Sequence, residues 1–436
     1  MNGEGTLTLW RQGKSAWESW RRGLWERKQA LTAAGKWSVD WYGEGQNDET
    51  KAWLQDATAD FTDASFAADA DFTGLNFPGP AEFERARFAG SANFAGATFA
   101  HNASFDQAQF AASSFAGAKF QGFATFSKTR FGADACFEKA EFLRISDLAT
   151  CARFYRAQFA GNAAFSGAQF AGAAEFLKAA FAAASFDRCE FQGDALFTSA
   201  QFAGAASFVK TRFTGSRADF AHCIFHFEMR FLEAHFGGSW ARLVMWGACS
   251  VSFEAVRFEN DANFGQTWFV GEAEFKNALF NGLATFGNAQ FVMPASFATV
   301  VFSARTSFKD ARFVHNANFA EAQFLEECDF TSVTFGAEAR FTQVRFVGAA
   351  QFVRANFLGN ASFRGVTAEA ALTLDDSPCV AVPDFSEGTF VQGPALDKLV
   401  KINPKWRLLR WWPSRRRHEL PLPAVLAQNS ETADKG

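Results

Sequence analysis

The chain has 436 residues, 48% of them hydrophobic, enough for a large core, yet its aromatics are lopsided: 57 Phe against 2 Tyr and 13 Trp. No apolar run approaches the ~18 residues of a membrane-spanning helix and no signal peptide is recognisable, so neither a helical span nor export by that route is expected. A formal net charge of −4 excludes a strong polyelectrolyte, and seven Cys without a Cys-x-x-Cys pair suit a reducing, cytoplasmic compartment better than a disulfide framework.

Two composition shifts mark the boundaries, because every Phe lies between Phe61 and Phe390. Residues 1–60 hold seven of the Trp. Trp10, Trp17, Trp20 and Leu24 recur at helical spacing with Arg and Glu between them, which predicts a partly helical N-terminal segment. Its expected job is to cap an open end of the Phe-bearing region, a partner-binding aromatic surface being the alternative.

In residues 61–390 the rings keep time. From Phe61 they fall at 66, 72, 77, 83, 88, 94, 99 and 105, and from Phe253 the same alternation of five and six residues runs on to Phe363. Leu374, Cys379, Phe385 and Phe390 continue it, Ala368 is the one weak occupant, and only Phe123 and Phe227 stand off the ladder. Five residues turn a helix by roughly 500°, which would scatter the rings, and a period of two would send them to opposite faces of a strand. A chain that turns a corner between rings satisfies the count, each Phe pointing inward from a short face. That is an all-β solenoid of 22 residues per four-faced coil, about fifteen coils in all.

The unit read from the rungs is Ala-x-Phe-x-x, as in "ASF", "AQF", "ANF" and "AEF", and it resembles the pentapeptide-repeat family. The stretch "AWESWRR", Ala16 to Arg22, is similar to a Trp-rich leader of such chains. The resemblance implies a right-handed quadrilateral β-helix with the ring and the preceding Ala filling the interior. The family's strict five is replaced here by alternating five and six, so a three-sided helix of six-residue units is the competing geometry.

The clock lapses in places. Three fives run together from Phe105 to Phe120, two sixes run through Leu148, a seven separates Phe213 from Phe220, and 17 residues separate Phe236 from Phe253. The last span equals six, five and six, so Trp240, Leu243 and Trp246 can stand in for rings and keep the coil count. Trp240 and Trp246 mark this mid-rod irregularity as a candidate binding feature.

Catalytic signals are absent from the sequence: no phosphate loop, no nucleophile elbow, no His-Glu-x-x-His. In the solenoid register His222 and His226 fall at corners, His235 on an outward face and Cys223 in the inward small-residue slot, so they do not converge on a metal. Cys136, Cys151, Cys189, Cys249 and Cys328 read as small buried substitutes. No enzyme activity and no cofactor are expected.

Residues 391–436 form a basic tail with Trp and partial disorder. From Lys398 to Arg417 it carries eight cations and no acid, namely Lys398, Lys401, Lys405, Arg407, Arg410, Arg415, Arg416 and Arg417, interleaved with Trp406, Trp411 and Trp412. This set is the candidate contact for an anionic membrane surface or a partner. Residues 61–390 hold 25 basic and 33 acidic side chains, a net of −8. The expected function is a rigid, non-catalytic interaction scaffold in the bacterial cytoplasm, attached peripherally to the inner membrane face, with its protein partner unidentified. The family resemblance supplies the alternative, a DNA mimic acting on a topoisomerase, DNA gyrase. A duplex presents roughly forty charges over a 70 Å rod, so −8 imitates it poorly, and direct nucleic-acid binding is not expected either.

Overall fold

The computed structural model describes residues 3–39, 45–143, 150–237, 249–391, 394 and 399–401. In the repeat region most strands are two residues long, and each pairs in parallel with the equivalent strand one coil away, as Ala59–Asp60 does with Ala81–Glu82. The first coil shows the plan: Ala59–Asp60, Ser65–Phe66, Ala70–Asp71 and Asn76–Phe77 open faces one to four. Face one runs through 14 strands and face four through 15. Faces two and three merge into one 27-stranded sheet because Gln158–Ala164 and Ala180–Ser185 pass through their shared corner without a break. The coil is four-sided, and the three-sided alternative is excluded.

The alternation of five and six is an alternation of two corners. In the five-residue step, after faces one and three, the third residue of a tight turn adopts the left-handed conformation, with φ between 53° and 60° at 24 non-glycine positions among the described residues, such as Asp63, Lys128 and Thr299. Each such residue costs about 1–2 kcal/mol of backbone strain outside glycine. The coil-to-coil ladder holds it in place, since the turn's own N–H donates to the next coil, Asp63 to Glu84 at 2.8 Å and Thr299 to Ala320 at 2.9 Å. The six-residue step stacks backbone on backbone. At Gly282 a Cβ would come 2.3 Å from the backbone carbon of Asn260, which is why glycine recurs there.

Inside, four columns of rings stack along the rod. Phe297 lies parallel to Phe275 at 4.7 Å and Phe319 at 4.9 Å, and meets Phe286 and Phe308 edge-on at 5.3 Å each. The residue two before each ring fills the remaining space. Several polar residues in this slot donate to a ring residue's carbonyl, as Thr129 does to Phe105 at 2.6 Å and Cys223 to Phe197 at 3.0 Å. Leu374, Cys379 and Ala368 are buried in the expected rungs, and Phe227 is exposed off the ladder.

Three expectations are corrected. Phe236 pairs with Phe213 and Phe269, while Val251 pairs with Ala218 and Ala273, so Phe236 and Val251 stand on successive faces, four and one. Phe142 and Ala152 are likewise on successive faces. Among the described residues neither span contributes a strand to the four faces, and the rod has about 14 turns, in line with the expected count. Cys136 is not a buried substitute: it lies in the outward slot of face three, half-buried, between Ser114 and Ala164. The solenoid also passes Phe390, because Val400–Lys401 pairs with Pro378–Cys379 on face four.

At the other end helices α1 (Gly3–Arg11), α2 (Lys14–Ala33) and α3 (Asp48–Ala57) precede the first strand. Trp10 stacks on Phe72 at 5.2 Å, and the buried Trp17 meets Phe77 at 5.3 Å. Their indole N–H groups donate to Asp71 and Asn76 carbonyls of the first coil, at 3.3 and 2.8 Å. Trp53 holds α3 to α2 by donating to the Leu24 carbonyl at 2.8 Å.

Candidate functional site

With the interior filled by rings, chemistry is left to the outward side chains, and the two corner types sort them. Before a five-residue corner a short polar outward residue can accept the N–H two residues on: Asp71 from Thr73 at 2.8 Å, Asn318 from Ala320 at 3.0 Å. Those side chains are occupied by the fold, while Arg153, Glu175 and Leu196 hold equivalent positions on face one without that bond. Asn263, Thr285 and Ser307 form one such column on face three, Glu274 and Ser296 another on face one. Faces two and four carry longer side chains, and face two reads Arg87, Gln109, Arg130, Gln158, Ala180, Gln201 in successive coils.

Some charges on the rod are paired from coil to coil. Arg85 meets Asp63 at 2.7 Å, Arg153 meets Glu175 at 2.6 Å, Arg305 meets Glu327 at 2.7 Å and Arg364 meets Glu387 at 2.6 Å. Such exposed pairs are worth at most about 1 kcal/mol each. Glu82 shows the opposite situation: burial first, then neighbouring Glu84, Asp60 and Asp106, push its carboxyl up to about 7.

One corner gathers unpaired cations. Lys128, Arg156 and Lys178 occupy the left-handed position between faces one and two in three consecutive coils, and Arg130 stands beside them on face two. All four are exposed, and among the described residues none makes an ion pair. Beside this ridge Ala180 interrupts the long side chains of face two, leaving a shallow depression of about 320 Å³ lined by Gln158, Ala160, Ala180, Ala182, Gln201 and His226.

The buried thiols are not poised as nucleophiles. Burial pushes the Cys151 and Cys249 thiols up to about 12 and those of Cys189, Cys223 and Cys328 upward as well, which keeps them protonated and poor nucleophiles. His222 sits at a left-handed corner, His226 at the rim of the depression, and His235 on face four, 6.2 Å from the Trp268 ring. Burial, foremost, lowers the His235 pKa. Among the described residues no three His, Cys, Asp or Glu come together as metal ligands.

Trp240, Trp246, Lys398, Lys405, Trp406, Arg407, Arg410, Trp411, Trp412, Arg415, Arg416 and Arg417 lie outside the described residues. Lys401 closes the strand on face four, its backbone in register with Cys379. The basic ridge was missed from the sequence. Its signal is the residue two after a face-one ring in "FSKTRF", "FYRAQF" and "FLKAAF", which aligns only once Phe142 and Ala152 are recognised as standing on successive faces.

Pentapeptide repeats match in 9 copies over residues 72–119, 186–235 and 250–290. Among solved structures, the chain is similar to HetL, a pentapeptide repeat protein involved in heterocyst differentiation regulation from the cyanobacterium Nostoc sp. The identity is 13% over 62% of this chain and 92% of that one, with a TM-score of 0.19. It is also similar to QnrB1, a plasmid-mediated fluoroquinolone resistance protein, at 16% identity over 52% of this chain and 91% of that one, with a TM-score of 0.18. No curated protein matches. The matched repeats fall on coils whose Ala and Phe line a four-faced parallel solenoid, so over these stretches the chain carries pentapeptide repeats.

Proposed function

We propose that the protein is a rigid, non-catalytic interaction scaffold. The supporting observation is the filled interior: the rings of the rod are buried and mutually stacked, so recognition falls to columns of outward side chains held at a fixed coil repeat. The DNA-mimic reading is weakened by the coil-to-coil ion pairs, which neutralise acids a mimic would display. Affinity capture from the native cell tests the choice. A stoichiometric protein partner is the expected result. Capture of DNA gyrase, with inhibition of supercoiling by purified protein that fades as salt rises, would replace the scaffold with the mimic.

The scaffold reading includes a weak membrane tether in the basic tail. Eight cations near an anionic leaflet can contribute up to ~1 kcal/mol each, and interfacial Trp406, Trp411 and Trp412 add to that. Full-length protein should pellet with anionic and not with neutral vesicles, less so at high salt, and a chain ending at Lys401 should stay in solution with its melting temperature kept. An earlier-melting short chain, with no pelleting of the full one, would make the tail a cap.

A further inference from the structure

We infer that the basic ridge of Lys128, Arg130, Arg156 and Lys178, with the depression beside it, docks an acidic segment of a partner protein; the inference rests on the scaffold reading. The ridge is unfavourable for the rod alone. Lys128 donates its N–H to the Tyr155 carbonyl at 2.7 Å and Arg156 to that of Leu177 at 3.0 Å, so the three corner residues lie in consecutive coils about 4.8 Å apart. Like charges at that spacing repel, and each residue sits in the left-handed region besides, with φ of 59°, 55° and 56°. Elsewhere along this corner no two neighbours share a charge: Asp63 faces Arg85, then Gln107 follows, and beyond Lys178 come Ser199, His222, Ala255 and Asn277.

The fold does not quench these cations. Acids on the adjoining face are already engaged, Asp106 accepting from Thr125 Oγ1 and Ser127 N–H, and Glu175 from Arg153 and Thr150. An anionic partner is therefore the complementary occupant. A polynucleotide fits poorly. Residues 61–390 carry a net of −8, which repels a long polyanion, whereas a short acidic segment senses the local patch within a Debye length of ~8–10 Å. Base stacking also lacks a platform here, because Tyr155 is covered by the Arg156 guanidinium, 5.2 Å from its ring. The depression supplies what a peptide needs beside charge: an apolar floor of Ala160, Ala180 and Ala182 for one side chain, with Gln158 and Gln201 amides at its edges for backbone groups.

The test uses full-length protein and a fluorescein-labelled peptide of eight Glu around a central Leu, followed by anisotropy. Saturable binding should weaken at least 10-fold in Lys128→Glu/Arg156→Glu/Lys178→Glu and weaken with added salt. Ala180→Gln should weaken it several-fold, yet leave binding of the same peptide with Gly for Leu unchanged. Lys309→Glu, at a distant corner, should have no effect. Should the triple variant melt early, Lys178→Gln alone must still weaken binding. Absence of saturable binding, indifference to the ridge substitutions, or an oligothymidine of equal charge binding as tightly would each overturn the proposal. None of these results bears on whether native-cell capture yields a partner, so the scaffold can stand while the ridge assignment falls.

Discussion

Phe297→Ala is expected to lower stability by about 3–5 kcal/mol, while Ser296→Ala, one residue earlier, should change it by less than about 0.5 kcal/mol. Phe297 is fully buried and touches rings in the coils above and below as well as across the rod, so its removal leaves a cavity that four rigid neighbours cannot close. Ser296 points outward between Glu274 and Asn318 and leaves no void. Denaturant titration of the two variants checks the contrast. Because each coil touches only its neighbours, hydrogen exchange should locate the damage in the coils around Phe297 before the rod melts as a whole. Equal losses in both variants would contradict the inward assignment.

Trp10→Ala/Trp17→Ala should produce a protein that associates with itself. The two indoles cover the rings of the first coil and satisfy the Asp71 and Asn76 carbonyls, which point away from the rest of the rod. Loss of the buried Trp17 alone is worth about 3–5 kcal/mol of local stability. The variant is left with an open edge and unpaired carbonyls, ready to accept a strand from another molecule. Light scattering across a concentration series should show growing mass for the variant and none for the parent. A monomeric variant with an unchanged melting temperature would mean that the helices are not what closes this end.

The rod was legible in the sequence because a single residue type marks every inward position, and spacing alone sets the corners: Phe61, Phe66, Phe72 and Phe77 already contain both steps. The outward logic was half legible. Asp or Asn before a ring reads as a repeat signature, but its tie to the following N–H, as at Asp71 and Asn318, depends on which corner comes next. The steps after Phe142 and Phe236 were misread as rungs because a lengthened step and a run of degenerate rungs have the same length in sequence; only strand pairing separates them. Lys128, Arg156 and Lys178 were hidden for the same reason, since an uncounted insertion lies between the first two. Ala180 was invisible as a floor because a small residue gains meaning only from the Gln158 and Gln201 that flank it in space.

The lengthened steps after Phe142, Phe213 and Phe236 all fall at the one corner between faces four and one. The rod thus has a seam. Residues added along that line leave the strand pairing of every face in step, so each face keeps the order of its marks from the N-terminal helices to the last coil. Residues are gained at one edge, whereas the corner between faces two and three changes only by losing one, at Phe110 to Phe115 and Phe181 to Phe186; the order of side chains along each face, on which any matched partner depends, survives both.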